Sequence, residues 1–354
     1  MTVTQQEMGC GRIPTKQLAF KALVASGAPA LWRWLTQDRV AVLCYHGVSS
    51  SSGRPGVWNA DGVHVGLDRF EAQMAYLKRR QQPVPLSWLC ESLEGSRRLP
   101  ARAVVVTFDD GLRSVVTRAL PVLQKHGIPA ALFVVAEAVG GSAPLWTYRL
   151  GALIDRLPPG RVTLDRLGQL DLTTLRARRL AFFRVRQRLK LTPAAERADI
   201  LKAIEHVAGP AIAQEGELLD WEEVRRLAEE GFEIGCHSAT HENLTLLSAD
   251  ASWREVAGAK ATIEERLGRP VKAFAYPDGF YNERVVEAVR SAGFSLGLTT
   301  DPGLNRPAVD PFRVKRLLIG DEDPVAFGVA LTGIRVVTSA AAGLGRRLAR
   351  GWRP

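Results

Sequence analysis

The stretch Ala103-Val104-Val105-Val106-Thr107-Phe108-Asp109-Asp110-Gly111 decides the fold class of this 354-residue chain. Its first four residues form a short, apolar and mostly β-branched run, which is typical of a strand buried in a parallel sheet. Two adjacent carboxylates follow, and Gly111 permits a backbone bend that turns both toward one site. Because close carboxylates stay ionised together only beside a cation, the pair predicts a metal site or split acid and base roles. The alternative is a helix N-cap, for which one Asp would suffice.

A pair of histidines four residues apart is the second decisive feature. His237-Ser238-Ala239-Thr240-His241 follows another strand-like run, Phe232 to Cys236. Side chains at i and i+4 face the same way on a helical turn, so both imidazoles can converge on one ion. Two imidazoles and one carboxylate form a three-ligand set that leaves a position open for water, as catalytic zinc sites do. Zinc suits this set best, and cobalt, nickel or manganese are the alternatives.

These two motifs resemble those of the polysaccharide deacetylase family, also called the NodB-homology family, of the carbohydrate esterase type. Its first motif corresponds to residues 107–111, and its second, H-S/T-x-x-H, to residues 237–241. The resemblance covers about residues 40–320. It implies a distorted (β/α) barrel of about seven parallel strands and metal-dependent removal of acetyl groups from N-acetylated sugars. Carried over by position, it implies that Asp109 is the general base and that the metal ligands are Asp110, His237 and His241.

A third segment, Phe274-Ala275-Tyr276-Pro277-Asp278-Gly279, resembles the family's R-x-P-Y-G motif but has Ala275 in place of the Arg. In the family, this loop lends a backbone N–H to the oxyanion. A backbone donor survives replacement of side chains, so we expect Asp278, with Tyr276 and Pro277, to form the oxyanion and substrate-binding loop.

The missing motif Arg must be supplied from elsewhere if it is needed to orient the catalytic Asp. Arg316 and Arg313 lie in a strand-like segment, residues 312–317, and are the two candidates. The alternative is that both are surface cations of a basic protein.

The general acid is expected at an unusual place in the chain. No His follows His241, so the family's C-terminal leucine-x-histidine motif is absent. However, the apolar run Ala41 to Tyr45 ends at His46, which resembles the start of deacetylases whose motif order is circularly permuted. Since the leaving amine must be protonated, we predict that His46 is the acid; the alternative is a strand-end His bonded to backbone. The remaining histidines are expected to be structural or exposed: His64, His126 and His206.

Strand-like and amphipathic segments alternate along the chain, which favours a parallel barrel with its site at the C-terminal ends of the strands. The predicted strands are 40–45, 103–108, 130–135, 232–236, 272–276, 295–300 and 314–319, with a weaker candidate at 83–86. The predicted helices include 70–77, 112–126, 221–230, 253–267 and 283–292. An Arg-rich stretch at about 145–215 predicts an insertion of two or three helices with a weak core signal, either a lid or wall of the site or a solvated helical excursion.

The two ends of the chain predict contact with a membrane surface. We expect basic amphipathic segments at 1–38 and 323–354, flanking a barrel at 39–322, in a chain of net charge +10. This composition suits a peripheral contact with an anionic membrane, unless both helices pack on the barrel. No nucleic-acid module is recognisable, so no nucleic-acid partner is expected. The four cysteines lack metal-type spacing, and no cleavable leader is apparent, so we expect a cytoplasmic protein, peripheral at the inner membrane face.

The sequence therefore predicts a metal-dependent hydrolase of linear amides, not peptide bonds, that removes an N-acetyl group from an N-acetylamino sugar. The substrate would be a glycan, a glycolipid or a sugar intermediate, and a lipid-linked one suits a cytoplasmic site. Two alternatives stay open: a deformylase or amidase on a non-sugar amide, and a catalytically inactive barrel that binds glycan.

Overall fold

A closed barrel of seven parallel strands forms the centre of the molecule. The computed structural model describes residues 26–50, 56–57, 59–60, 62–141, 144–209 and 217–333. Its strands are β1 (Ala41–Tyr45), β2 (Gly47–Ser49), β3 (His64–Gly66), β4 (Gln82–Pro83), β5 (Ala103–Phe108), β6 (Ala130–Val134), β7 (Arg161–Leu164), β8 (Gly168–Asp171), β9 (Glu233–Cys236), β10 (Ala273–Ala275), β11 (Leu296–Pro302) and β12 (Val314–Leu318). The barrel order is β1-β12-β11-β10-β9-β6-β5, and pairing of β5 with β1 closes it.

The predicted barrel and its seven strands are confirmed, each strand end lying within two residues of the predicted one. The weaker eighth candidate is the two-residue β4, which pairs with the start of β5 outside the closed ring. A further short parallel pair joins β2 to β3.

The helices alternate with the barrel strands along the chain, several of them covering the outer face of the barrel. They are α1 (Ala28–Leu35), α2 (Leu67–Arg80), α3 (Leu86–Leu93), α4 (Leu120–His126), α5 (Trp146–Arg156), α6 (Leu175–Lys190), α7 (Ala194–Ala208), α8 (Trp221–Glu229), α9 (Ala249–Trp253), α10 (Ala259–Leu267), α11 (Glu283–Ser291) and α12 (Pro324–Ala330). The predicted helices at 112–126 and 253–267 each contain a π-helical turn, at Val115–Ala119 and Arg254–Gly258. Local capping also agrees with the sequence, since Asp220 and Glu223 form a capping box at the start of α8.

The pleat of the strands sorts side chains between two cores. In β5, Val104 and Val106 join the large cluster between barrel and helices, whereas Ala103 and Val105 join the cluster inside the barrel. Because successive side chains of a strand alternate, the inward series continues from Val105 through Thr107 to Asp109 at the C-terminal rim. The apolar run of the sequence thus buries both faces of the strand and still directs a carboxylate into the barrel mouth.

The insertion between β6 and β9 is a folded unit with its own core. It contains α5, α6 and α7 and an antiparallel hairpin of β7 and β8. A separate cluster of buried residues, including Leu150, Ile154, Phe182 and Ile204, holds these elements together. The expected two or three helices are present as α5, α6 and α7, whereas the hairpin and the complete core were not predicted. On α6 the hydrophobic period is diluted by arginines, which weakens the core signal in the sequence.

Little of the two predicted terminal segments lies within the described residues, because residues 1–25 and 334–354 fall outside them. At the C-terminal end, α12 packs Phe327 into the main core, edge-on to Tyr76 of α2. The barrel packing therefore extends past the expected limit at 322. Among the described residues, no helix is both long enough and apolar enough to cross a membrane.

Candidate active site

One pocket at the C-terminal rim of the barrel collects most of the residues that the sequence singled out. Asp109 and Asp110 follow β5, His237 follows β9, and His46 follows β1, so all four lie where parallel strands end. The pocket has an empty volume of about 510 Å³, including its open mouth. It is lined by His46, Val63, Asp109, Asp110, Thr147, Tyr148, Phe182, Arg186, His237, His241, Asp278 and Thr300.

Asp110, His237 and His241 form a buried three-residue cluster. Oδ1 of Asp110 lies 3.4 Å from Nε2 of His237 and 3.4 Å from Nε2 of His241. Asp110 and Gly111 both have φ of +73°, which breaks the pleat after Asp109 and brings the second carboxylate to the same rim. The bend expected at Gly111 therefore begins one residue earlier.

Each of these side chains presents a ligand atom toward the centre of the cluster. The backbone carbonyl of Ala275 can only accept, so Nδ1–H of His237 donates to it at 2.7 Å and leaves Nε2 for a ligand. His241 has φ of +62°, and its N–H donates to Oγ of Ser238 at 2.9 Å, which fixes the turn.

The donor set fits a tetrahedral divalent ion. Oδ1 of Asp110 is buried without a hydrogen-bond partner among the described residues. Such an orphaned anionic oxygen is costly unless a cation completes it. Ligand atoms about 2.1 Å from a tetrahedral zinc ion are about 3.4 Å apart, and both oxygen-to-nitrogen distances in the cluster are 3.4 Å. Carboxylate oxygen and imidazole nitrogen are also ligands that zinc accepts.

Burial and nearby charge act in opposite directions on the pKa values of Asp110 and His241. Burial raises the pKa of Asp110, but the nearby imidazoles of His237 and His241 outweigh burial and hold this pKa well below its usual range. Burial lowers the pKa of His241, whereas the nearby Asp110 carboxylate raises it, and the net direction is upward.

Asp109 is held by Arg316, one of the two arginines proposed from the sequence. Arg316 is 1 % exposed, and its Nη1 and Nη2 donate to Oδ1 and Oδ2 of Asp109 at 2.8 and 2.7 Å. Its Nε donates to the carbonyl of Thr299 at 2.9 Å, and the Cys44 thiol donates to Oδ2 of Asp109 at 3.4 Å. Burial raises the pKa of Asp109, but Arg316 and then His237 lower it to about 2. Asp109 is therefore a carboxylate at neutral pH.

The other candidate, Arg313, is oriented differently. It lies in a short 3₁₀ turn before β12 and pairs with Glu283 at 2.5 Å and with Asp310 at 3.5 Å. Side chains alternate between the two faces of β12, so Val314 and Arg316 face the barrel interior, and Arg316 is the arginine that reaches Asp109. Arg313 therefore fits the alternative interpretation of a surface cation.

His46 lies beside Asp109 at the rim. Its ring and the side chains of Cys44 and Asp109 each offer one ligand-type atom, and these atoms lie within 4.8 Å of one another. The Asp109 N–H donates to the Tyr45 carbonyl at 2.9 Å, which ties the ends of β1 and β5 together. Nδ1 of His46 is buried without a hydrogen-bond partner in the described part of the chain. The structure thus brings His46 to the pocket, and its role as acid stays a prediction.

Comparisons with known proteins agree with this geometry. The sequence profile of a family described as polysaccharide deacetylase matches residues 96–155 and 190–297. The chain belongs to the polysaccharide deacetylase family. It is accordingly a hydrolase of the class that acts on N-acetyl amide bonds of glycans. The gap in the match falls on β7, β8 and α6 of the insertion, and both His46 and Arg316 lie outside the matched ranges.

Several individual proteins resemble this deacetylase. YxkH of Bacillus subtilis (strain 168), whose name assigns it to the same family, is 20% identical over 274 residues, 76% of this chain and 68% of that protein. The poly-beta-1,6-N-acetyl-D-glucosamine N-deacetylase of Escherichia coli (strain K12) is 38% identical over 95 residues, 27% of this chain and 14% of that protein.

Two solved structures share the fold. IcaB from Ammonifex degensii has a TM-score of 0.56 at 23% identity and covers 84% of this chain and 97% of its own. The deacetylase PplD of Streptococcus pyogenes has a TM-score of 0.55 at 17% identity, covering 81% and 95%. At this level of identity the likeness concerns the fold.

The third-motif loop of this deacetylase differs from expectation at Tyr276. The Tyr276 ring is fully buried against Phe274 and Tyr281, and its hydroxyl donates to the Phe312 carbonyl at 3.0 Å. Its side chain therefore lies in the core and outside the pocket, which corrects its place in the predicted substrate-binding set. Pro277 is also buried and does not line the pocket.

Asp278 does reach the pocket, and through its side chain as well as its backbone. It has φ of +54°, and its carboxylate lies 2.5 Å from Nζ of Lys190, the last residue of α6. Burial raises the pKa of Asp278, whereas His241 and Lys190 lower it, and the net direction is downward. The proposed oxyanion role of the Asp278 N–H stays a prediction.

Sequence reasoning missed the residues that the insertion contributes to the site. Thr147, Tyr148, Phe182 and Arg186 line the pocket, and the Tyr148 hydroxyl donates to Oδ2 of Asp110. Of the two interpretations left open, a wall of the site is therefore the one that the structure supports. No motif marks these residues, because their position depends on how the insertion folds onto the barrel.

His64 is a buried structural residue, which agrees with the expectation that it is either structural or exposed. It is 1 % exposed and lies edge-on to Tyr148, with ring centroids 5.5 Å apart. Burial is the main cause that lowers the pKa of His64 to about 3, so its imidazole is neutral. Among the described residues, Cys44, Cys90 and Cys236 are free and buried.

Proposed function

We propose that this deacetylase removes the acetyl group from an N-acetylamino sugar, using a divalent metal ion held by Asp110, His237 and His241. The observation that carries the proposal is the position of Oδ1 of Asp110, which is orphaned and lies 3.4 Å from both Nε2 atoms. A second carboxylate, Asp109, lies beside this cluster, with Oδ2 4.0 Å from Nε2 of His237. One carboxylate is thus available to bind an ion while the other stays available as a base.

The chain's own residues divide the remaining chemistry. A divalent ion in this cluster would supply Lewis acidity to the acetyl carbonyl and to a water molecule. Asp109, ionised and oriented by Arg316, takes a proton from the attacking water. His46, on the neighbouring strand end, gives a proton to the departing amine as the carbon–nitrogen bond breaks. The products are acetate and the free amino sugar.

Zinc is the ion we propose, since two imidazoles and one carboxylate form a common catalytic zinc set. Cobalt, nickel or manganese would bind through the same atoms. The sugar class is supported by the name of the Escherichia coli relative, which acts on poly-beta-1,6-N-acetyl-D-glucosamine. We further propose that the substrate is carried on a lipid or a nucleotide, which follows from the expected cytoplasmic, membrane-peripheral location.

Mass spectrometry tests this function directly. The purified chain, loaded with zinc, is incubated with acetamido sugars in four forms: free, oligomeric, nucleotide-linked and lipid-linked. We expect loss of one acetyl group from at least one form and loss of that activity after chelation. A formylated or non-sugar amide, processed in place of every acetamido sugar, would favour the amidase alternative.

Two matched variants separate the roles of the adjacent carboxylates. Asp109→Asn should retain the metal while turnover falls at least about 10²-fold, because the base is lost. Asp110→Asn should lose the metal as well as turnover, because a ligand is lost. Metal content measured by elemental analysis distinguishes the two outcomes. The reverse pattern would exchange the assignments, and metal-free wild-type protein would support the inactive glycan-binding alternative.

A further inference from the structure

Tyr148 of the insertion contacts the metal-binding cluster. Its hydroxyl donates a hydrogen bond to Oδ2 of Asp110. The other oxygen of the same carboxylate, Oδ1, faces His237 and His241 at 3.4 Å and has no hydrogen-bond partner among the described residues. The two oxygens of Asp110 therefore face different partners. The partner of Oδ2 is Tyr148, which belongs to the insertion and lies outside the barrel.

We propose that Tyr148 is a positioning residue that makes Asp110 a monodentate metal ligand through Oδ1. This inference rests on the proposed metal centre. A carboxylate that lies beside a cation can bind it through one oxygen or through both. A phenolic hydroxyl that donates to Oδ2 stabilises the charge on that oxygen and holds the carboxylate plane, so Oδ1 stays directed at the two imidazoles.

The position of Tyr148 is fixed by packing on both sides. Its ring lies edge-on to His64, with ring centroids 5.5 Å apart. His64 in turn covers Gly47, where an added Cβ would lie 2.2 Å from Nδ1 of the His64 ring. Because Gly47 has no Cβ, the His64 ring can occupy this space, and from there it contacts Tyr148.

The insertion supports Tyr148 from its other end. Tyr148 lies in the first turn of α5, whose residues Leu150, Leu153 and Ile154 are fully buried in the insertion's own core. A helix anchored in this way holds a first-turn side chain in one place, as a positioning residue requires. The insertion is therefore part of the metal centre as well as a wall of the pocket.

Tyr148→Phe is the direct test, because it removes the hydroxyl and keeps the ring against His64. Zinc affinity is measured by competition with a chromophoric chelator on the full chain. Loss of a partner that orients a ligand typically weakens metal binding 10–100-fold, so we expect about 10-fold weaker binding by the variant. The cobalt-substituted variant should also show a changed visible absorption spectrum, since the coordination of Asp110 is no longer constrained.

Tyr281→Phe is the matched control. The Tyr281 hydroxyl donates to Oδ2 of Asp301 at 2.6 Å on the protein surface, so the same kind of hydrogen bond is removed outside the metal-binding cluster. We expect zinc affinity and the cobalt spectrum to be unchanged in this variant.

The outcomes separate this inference from the function on which it rests. Wild-type affinity and spectrum in Tyr148→Phe, with zinc bound normally by the wild type, would overturn the positioning role alone. A fall in the thermal stability of the metal-free variant with no change in zinc affinity would mean a packing role and would also overturn it. Failure of the wild-type chain to bind zinc, cobalt, nickel or manganese would overturn both the metal centre and the role of Tyr148.

Discussion

Asp109 carries its negative charge in a site where little solvent reaches it, and Arg316 stabilises that charge. Both side chains are nearly fully buried, and two parallel hydrogen bonds of 2.7 and 2.8 Å join them. A bidentate guanidinium fixes the plane of a carboxylate, which a lysine ammonium cannot do. The protein thus orients its proposed base without an arginine in the third motif, where Ala275 stands.

His46 gives the sharpest prediction about a single residue. His46→Ala should keep the metal and the fold but slow hydrolysis of the amide, because the departing amine needs a proton. An aryl acetate should be spared, since its leaving group departs without one. The ratio of the two rates, measured for wild type and variant, checks the role. An equal loss on amide and aryl ester would assign His46 to something other than acid catalysis.

Local motifs could be predicted from the sequence because the backbone alone brings their residues together. The Asp109–Asp110 pair and the two histidines of 237–241 each lie on one strand end, so no knowledge of the rest of the fold was needed. Choosing Arg316 over Arg313 required the pleat of β12, which becomes visible only when the strand is placed in the barrel. Tyr276 was misplaced for the same reason, since its ring faces the core between strand and helix.

At the scale of elements, the insertion is tied to both loops that carry the site. Lys190 at the end of α6 pairs with Asp278, and its carbonyl accepts from Nδ2 of Asn243 at 3.1 Å. Arg197 of α7 pairs with Glu242, the residue after His241. These polar contacts between distant segments could not be predicted from the sequence, because no periodicity or motif relates the partners.

The Lys190–Asp278 pair predicts how strongly the insertion is coupled to the barrel. Both side chains are 12% exposed, so Lys190→Met leaves a largely buried carboxylate without its cation. We expect the free energy of unfolding to fall by about 3 kcal/mol. The double variant Lys190→Met with Asp278→Asn should recover much of this loss, because no uncompensated charge remains. Denaturant unfolding of the three proteins measures both effects.

An exposed pair in the same insertion provides the control. Arg166 and Asp199 lie 3.8 Å apart with side chains 47% and 59% exposed, so Arg166→Met should change stability by less than about 0.5 kcal/mol.

The lowered pKa of Asp278 sets the sign of the pH dependence of stability. Stabilisation by the Lys190 pair is present above the unfolded-state pKa of about 3.9 and is lost as pH falls through the lower folded-state value. Equal losses in Lys190→Met and in the double variant would show that the pair does not couple the two units.

At the scale of the whole molecule, the barrel follows from the alternation of apolar runs and amphipathic segments. The barrel strands β1, β5, β6 and β10 are buried along their whole length, so each has a largely apolar run that is recognisable without alternation. The insertion departs from this rule, because its core is small and α6 carries arginines on much of its surface. The fold of the barrel was therefore predictable, whereas the shape of the wall over the site was not.

The surface of the whole molecule supports the proposal that it binds an anionic membrane. The chain has a net charge of +10, and α1 exposes three large apolar side chains, with Leu31 60%, Trp34 65% and Leu35 53% exposed. In a chain with a net positive charge, exposed apolar side chains suit the interface of an anionic bilayer, where burial and electrostatic attraction add. On such a surface, a deacetylase would meet lipid-linked sugars directly.

Vesicle sedimentation tests this proposal. We expect binding to vesicles that contain anionic lipid and weak binding to neutral vesicles. Binding should decrease as the salt concentration rises, because screening weakens the electrostatic attraction. The double substitution Leu31→Gln with Trp34→Gln should reduce binding. Leu180→Gln, which changes an equally exposed leucine of α6, should not. Equal sedimentation with neutral and anionic vesicles would remove the electrostatic part of the proposal. Unchanged binding of the α1 variant would assign the contact to another part of the surface.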